Sequence, residues 1–309
     1  MEIIFLGTPE FAVPTLERIL AAGHHVPLVV TQPDRPKGRK QELTPSPVKE
    51  CALRHGIPVF QPERIRRPEA IEKLAGLKPD AMVVVGYGQI IPQSIIDIPP
   101  MGIINVHASL LPELRGAAPI QWAIVRGYPK TGVTTMRIDA GLDTGDMLER
   151  WETPIGPDET APELSKRLAE AGADLLVTTL AGLYAGQIQP QAQDSALATY
   201  APIIKKEDGR IDWSNPARQI HNLIRGFQPW PGAQTSFRGQ SMHLWGSRLV
   251  SQRFDRPAGA LVCERGVFAV GGDGAALELL EVQLEGRKRM TAEVFANGHR
   301  LTDDDRLGA

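Results

Sequence analysis

Residues 102–124 read GIINVHASLLPELRGAAPIQWAI, and residues 137–146 read RIDAGLDTGD. Ile103, Ile104 and Val106 have strand character, and Asn105 and His107 alternate with them, so both polar side chains leave the strand on one side. A buried strand ending in two polar groups needs partners or a use for both, because a buried polar group left unpaired costs about 1–3 kcal/mol. Pro112, Gly116 and Pro119 then break the pattern, and the apolar run from Ile120 to Val125 reads as a helix. Strand, loop and helix in that order build an open α/β sheet, in which ligands bind outside the carboxyl ends of the strands. A further strand from Thr134 to Ile138 enters a turn at Gly141 that presents Asp143.

Asn105, His107 and Asp143 form a compact chemical set. An amide can donate to a developing oxyanion, an imidazole can relay a proton near neutral pH, and a carboxylate can orient and charge-tune that imidazole. Ser109 is followed by Leu110-Leu111-Pro112, so the Gly-x-Ser-x-Gly elbow of a covalent nucleophile is absent. The set therefore suits direct transfer between two bound substrates. A structural histidine, an asparagine turn and an unrelated surface aspartate make up the alternative reading.

Working outward, Glu2 to Leu6 reads as the first strand, with Gly7 at the turn, Thr8 as a cap and Pro9 opening a helix that Gly23 closes. Val26 to Thr31 is the next strand. The single glycine of GTPEF does not meet the GxGxxG pattern of a dinucleotide site. Residues 32–47 carry prolines at 33, 36, 45 and 47 among Arg35, Lys37, Arg39 and Lys40. They read as a long exposed loop, either a solvated linker or a cationic finger for a phosphate backbone. Ala81 to Val85 is expected to be a strand covered on both faces. It runs into Gly86-Tyr87-Gly88-Gln89-Ile90-Ile91, where glycines let a flat ring approach and the isoleucines supply apolar contact. Residues 186–202 are of low hydrophobicity and rich in Gln, Ala and Ser, which reads as a connector. Beyond a short helix over 217–225, capped by Ser214 or Asn215, short strands between glycine turns predict a small antiparallel barrel, and the final DDDRLGA reads as frayed.

The chain has 309 residues, room for two domains, and a formal net charge of -2 that argues against broad nucleic-acid affinity. Lys and Arg slightly outnumber Asp and Glu beyond residue 200, which leaves room for a local polyanion contact there. Cys51 and Cys263 are too few and too far apart for a disulfide framework, and His24, His25 and His55 show no ligand spacing, so no metal site is expected. With a strand starting at Glu2 and no long apolar run, the expectation is a cytoplasmic protein without a targeting or membrane segment. No symmetric apolar stripe calls for a dimer, so a monomer is expected.

The run NVHASLLPELRGAAPIQWA, with GLDTGD following, resembles the signature of the folate-dependent formyltransferases, most closely the branch that acts on methionyl-tRNA. FLGTPEFAVPTLERI, VTQPDRPKGR, PSPVKECALRHGIPVFQP and IHNLIRGFQPWPGA agree with it, so the likeness spans nearly the whole chain. The resemblance implies an α/β fold: a Rossmann-like, mostly parallel catalytic domain over 1–189, a linker over 190–206 and an OB-like antiparallel barrel over 207–309 that binds tRNA. It implies Asn105, His107 and Asp143 as catalytic residues and 10-formyltetrahydrofolate as formyl donor, without a metal. Gly88, Gln89, Ile90, Ile91, Ser109, Leu110, Leu111, Pro112 and Asp139 would contact the folate. The acceptor would be the amino group of initiator methionyl-tRNA, contacted by Arg35, Lys37, Arg39, Lys40, Lys205 and Lys206, with no DNA or membrane partner. Formylation of an amino-sugar nucleotide or of glycinamide ribonucleotide remains as an alternative acceptor chemistry, and a catalytically silent RNA-binding protein as one of another class.

Overall fold

The structure, a computed structural model, describes residues 1–37, 42–302 and 304–308. Among the described residues, seventeen strands and eight α-helices form two compact units. The first comprises Met1–Gly116, Thr131–Thr153 and Ser165–Tyr200; the second comprises Ala117–Lys130, Pro154–Leu164 and the chain from Ala201.

In the first unit, β1 (Glu2–Gly7) is followed by α1 (Val13–Ala21), β2 (His25–Val30), β3 (Arg35–Lys37), β4 (Glu42–Thr44), α2 (Pro47–Arg54), β5 (Val59–Phe60) and α3 (Pro68–Gly76). Then come β6 (Ala81–Val85), α4 (Gln93–Ile96), β7 (Ile103–His107), β8 (Arg115–Gly116), β9 (Lys130–Arg137), β10 (Met147–Pro154) and α6 (Ala161–Tyr184, in this unit from Ser165), while α5 (Pro119–Val125), between β8 and β9 in the chain, belongs to the second unit. The main sheet has the order β10-β9-β7-β6-β1-β2-β5. β5, β2, β1, β6 and β7 pair in parallel, and β9 runs antiparallel to β7. Every residue of β6 and β7 is buried, as continuous apolar runs covered on both faces should be. Full burial of each such Ile or Val contributes about 1.5–3 kcal/mol.

The chain winds outward from β1 to β5 and then returns to β6, so the topological switch point lies between β1 and β6. A Cβ on Gly7 would meet Val85 O at 3.2 Å and the Phe5 ring at 2.8 Å, which is why the β1 end needs glycine. Thr8, expected as a helix cap, instead donates from Oγ1 to Tyr87 O at 3.1 Å and ties the two strand ends together. The loop over 32–47 is more ordered at its base than its composition suggests. Arg35 to Lys37 pair antiparallel with Glu42 to Thr44, and Lys49 holds Asp34 at 2.6 Å.

The second unit contains α7 (Ala217–Gly226), which packs on α5, and follows β11 (Tyr200–Ala201). Its antiparallel sheet is built from β12 (Ala233–Phe237), β13 (Gln240–Arg253), β14 (Leu261–Cys263), β15 (Val267–Val270), β16 (Ala275–Leu284) and β17 (Met290–Thr291), followed by α8 (Ala292–His299). The sheet order β12-β13-β16-β15-β14 leaves β12 and β14 as edges, and the carboxyl-terminal tail spans them. Leu307 bridges Phe237, Arg306 bridges Ala260, and Leu261 N donates to Asp305 O at 2.9 Å. This corrects the expectation of fraying: Asp305 is buried and paired with Arg238 at 2.7 Å, which holds its carboxyl below the ordinary carboxylate range. The cap of α7 also differs. Asp273 accepts from Ala217 N at 3.1 Å, while the Ser214 hydroxyl turns to Asp212.

Candidate active site

Asn105 and His107 stand at the carboxyl end of β7, beside β6 through the Val84–Asn105 register and beside β9 through His107–Thr134. They are 9% and 6% exposed. The Asn105 amide makes no side-chain hydrogen bond to any described residue. The orientation of the imidazole comes from an unexpected source: His107 Nε2 lies 3.0 Å from Leu114 O. A carbonyl only accepts, so Nε2 carries the hydrogen and Nδ1 is the nitrogen available for proton exchange. Leu114 adopts φ +58°, a left-handed conformation rare for a bulky side chain, and its N–H donates to Thr199 Oγ1 at 2.8 Å.

Asp143 lies in the turn between β9 and β10, with Oδ2 3.7 Å from His107 Nδ1. That separation is too long for a direct hydrogen bond, and it places the carboxylate beside the ring nitrogen that faces it. The same Oδ2 accepts from Gly116 N at 2.8 Å. Glycine is needed within this turn, because a Cβ on Gly145 would come 1.9 Å from Arg137 O. The structure therefore brings the Asp143 carboxylate to the His107 imidazole, two residues along β7 from Asn105.

The expected folate contacts divide by environment. Ile90 is 90% exposed, Ile91 is buried, and Gly88 is exposed at the switch-point edge. The Gln89 side chain is engaged by the protein: Oε1 accepts from Ile65 N at 2.8 Å, and Nε2 donates to Pro62 O at 3.1 Å. The buried Ser109 hydroxyl donates to Glu113 O at 2.6 Å. Thr134 holds the turn around Leu110, Leu111 and Pro112 by donating to Ser109 O and accepting from Leu111 N, at 2.7 and 3.1 Å. Asp139 is exposed and accepts from Thr144 Oγ1 and Gly141 N, which makes it an organiser of the Asp143 turn.

Of the expected tRNA contacts, Arg35 is exposed and bonded to Glu63 at 3.1 Å, Lys37 ends β3, and Lys205 and Lys206 are exposed. Arg39 and Lys40 lie outside the described residues. Two open cavities of about 310 and 550 Å³ in the second unit are lined by none of the expected site residues. One group with metal-ligand chemistry does occur. Cys51 and His55, one turn apart at the end of α2, and Glu17 bring ligand atoms within 4.8 Å of one another, although Glu17 is also paired with Arg54 at 3.5 Å.

Sequence reasoning missed Leu114, Gln193 and Thr199. Gln193 Oε1 accepts from Arg115 at 3.0 and 2.7 Å, and its Nε2 donates to Asp143 O and Gly145 O at 2.9 and 2.7 Å. Gln191 exchanges two 2.8 Å backbone bonds with Met147. The segment that reads as a connector is therefore laced to the site as far as Thr199, and the first compact unit extends to Tyr200.

A mostly parallel sheet with polar groups at one strand end, followed by an antiparallel sheet in the second unit, defines the class. The family model for "Formyl transferase" matches residues 1–180, and that for "Formyl transferase, C-terminal domain" matches 203–300. The chain belongs to the formyl transferase family.

Among its relatives, a methionyl-tRNA formyltransferase of Solibacter usitatus is 62% identical over 308 residues, covering 100% of this chain and 99% of that protein. One from Koribacter versatilis is 56% identical over 310 residues, at 100% and 99% coverage. An N-formyltransferase from Helicobacter canadensis, solved with folinic acid and dTDP-3-aminofucose, shares the fold at TM-score 0.70 and 21% identity, covering 90% of this chain and 98% of its own. No helix among the described residues is long and apolar enough to cross a membrane.

Proposed function

We propose that this protein transfers the formyl group of 10-formyltetrahydrofolate to the α-amino group of methionyl initiator tRNA. Full-length relatives at 62% and 56% identity carry the name methionyl-tRNA formyltransferase, which favours tRNA over a sugar or glycinamide acceptor. The observation that supports the chemistry is the approach of Asp143 to His107 at the end of β7, two residues from Asn105.

In this reading the neutral amine attacks the formyl carbon, giving a tetrahedral centre with an oxyanion and an ammonium. The Asn105 amide, without a side-chain hydrogen bond among the described residues, donates to the oxyanion. His107 Nδ1 removes the ammonium proton, and the imidazolium so formed keeps Nε2–H on Leu114 O while Asp143 offsets its charge. The proton then passes to the folate nitrogen as the carbon–nitrogen bond breaks and the carbonyl re-forms. Holding both substrates at one strand edge supplies much of the rate advantage. The exposed Ile90, the neighbouring Gly88 and the Leu110–Pro112 turn are the proposed pterin contacts. Arg35, Lys37, Arg39, Lys40, Lys205 and Lys206 are the proposed phosphate contacts.

The test supplies formyl-folate with methionyl initiator tRNA, glycinamide ribonucleotide or an amino-sugar nucleotide. Formylation of the tRNA alone is expected, and Arg39→Ala should impair tRNA use without impairing folate binding. Transfer only to either small amine would overturn the reading.

A further inference from the structure

We propose that Gln193, backed by Arg115, is a positioning residue that holds the Asp143 turn and so sets the carboxylate against His107. The inference rests on the formyl-transfer reading of the site. Its physical basis is an amide with every hydrogen-bonding valence filled: two bonds accepted from Arg115 and two donated, to Asp143 O and Gly145 O. The amide orientation follows from its partners, because a guanidinium can only donate and a carbonyl can only accept.

Three features make this more than a loop contact. Asp143 has φ +53°, a left-handed conformation that its surroundings must hold, and Gln193 binds the carbonyls on either side of Thr144. Arg115 is only 2% exposed, and among the described residues its side chain meets Gln193 and no carboxylate. A buried cation on a neutral amide polarises it and strengthens the N–H groups on the far side. Finally, the backbone beside Arg115 is part of the same device. Gly116 N donates to Asp143 Oδ2 at 2.8 Å, and Arg115 N donates to Thr199 O at 2.9 Å. Segments around 115, 143 and 193 thus brace one carboxylate.

Displacing a reacting group by about 1 Å costs on the order of 100-fold. Gln193→Ala should therefore lower kcat about 10–100-fold. KM for both substrates should stay within about two-fold, since neither is bound by Gln193. Gln193→Glu keeps the size and gives Arg115 a carboxylate but offers no N–H to either carbonyl, so it should also lose rate while folding normally. In an Asp143→Asn background Gln193→Ala should add little further loss, because both changes act through one group. Hydrogen exchange at the Gly116 amide, followed in the same proteins, should accelerate in Gln193→Ala.

Unchanged kcat in both Gln193 variants, or losses that multiply with that of Asp143→Asn, would refute the positioning role. So would an unaltered Gly116 exchange rate. If the wild-type protein formylates no tRNA, the functional reading falls, and the Gly116 exchange rate still decides the brace.

Discussion

At the end of β7, Asn105 and His107 are 9% and 6% exposed; along α7, His221, Asn222 and Arg225 are 1%, 6% and 7% exposed. By burial alone the two regions look alike. Their hydrogen bonding separates them. His221 Nδ1 accepts from Ser247 Oγ at 2.9 Å, and its Nε2 donates toward Pro157 O and Asp158 Oδ1 at 3.1 and 3.3 Å. Arg225 donates twice to Asn222 Oδ1, and to Gly156 O and Glu159 O at 3.0 and 2.8 Å. Both His221 nitrogens, the Asn222 side-chain oxygen and the Arg225 guanidinium are answered by the protein, and the result is a pin for residues 156–159. On β7 the Asn105 amide has no side-chain hydrogen bond among the described residues, and His107 keeps one nitrogen for exchange. Buried polarity with filled valences holds a fold together; buried polarity with open valences does chemistry.

The comparison can be broken by substitution. The largest effect is expected for His107→Ala, which removes the proton relay and should cut single-turnover formyl transfer about a thousand-fold, about 4 kcal/mol. Its thermal melt should fall only by what the unpaired Leu114 carbonyl costs, about 1–3 kcal/mol, so that a folded variant still loses rate. Arg225→Ala should do the reverse. Leaving Asn222 and two carbonyls unpaired in a buried place should cost about 2–4 kcal/mol in denaturant unfolding, with kcat unchanged wherever the variant is folded. The smallest effect sharpens the contrast by pH. Burial, foremost, holds the His221 imidazole below its ordinary value of 6.5. The unfolded chain therefore takes up a proton that the folded chain refuses, and stability present above 6.5 is lost as the pH falls toward the depressed folded value. His221→Gln should flatten that part of the stability profile; an unchanged slope would assign it elsewhere.

The sequence discloses one of these regions more readily than the other. β6 reads clearly as a buried strand because its apolar run is uninterrupted, and in β7 the alternation of Asn105 and His107 with apolar neighbours marks both the strand and its polar pair. Asp143 is legible only through its motif, since a turn carries no periodic signal. Gln193 is hidden by composition, because a stretch of Gln, Ala and Ser looks like a connector and its partners lie 50 and 78 residues away. The same distance problem conceals the tail, where three aspartates in a row look solvated although Asp305 meets Arg238 across 67 residues. On α7, His221, Asn222 and Arg225 look like the wet face of an amphipathic helix. They are buried because the loop at 156–159 covers them with carbonyls. Hydrogen-bond satisfaction depends on tertiary partners, which local sequence pattern does not encode.

The most direct test takes Asn105→Ala, comparing its single-turnover formyl transfer to methionyl initiator tRNA with its unfolding free energy. Open valences at β7 predict a rate loss of roughly 3 kcal/mol, about 100-fold or more, with stability nearly unaltered. A variant that transfers formyl at the wild-type rate, or one that loses rate only because it unfolds, would contradict the assignment.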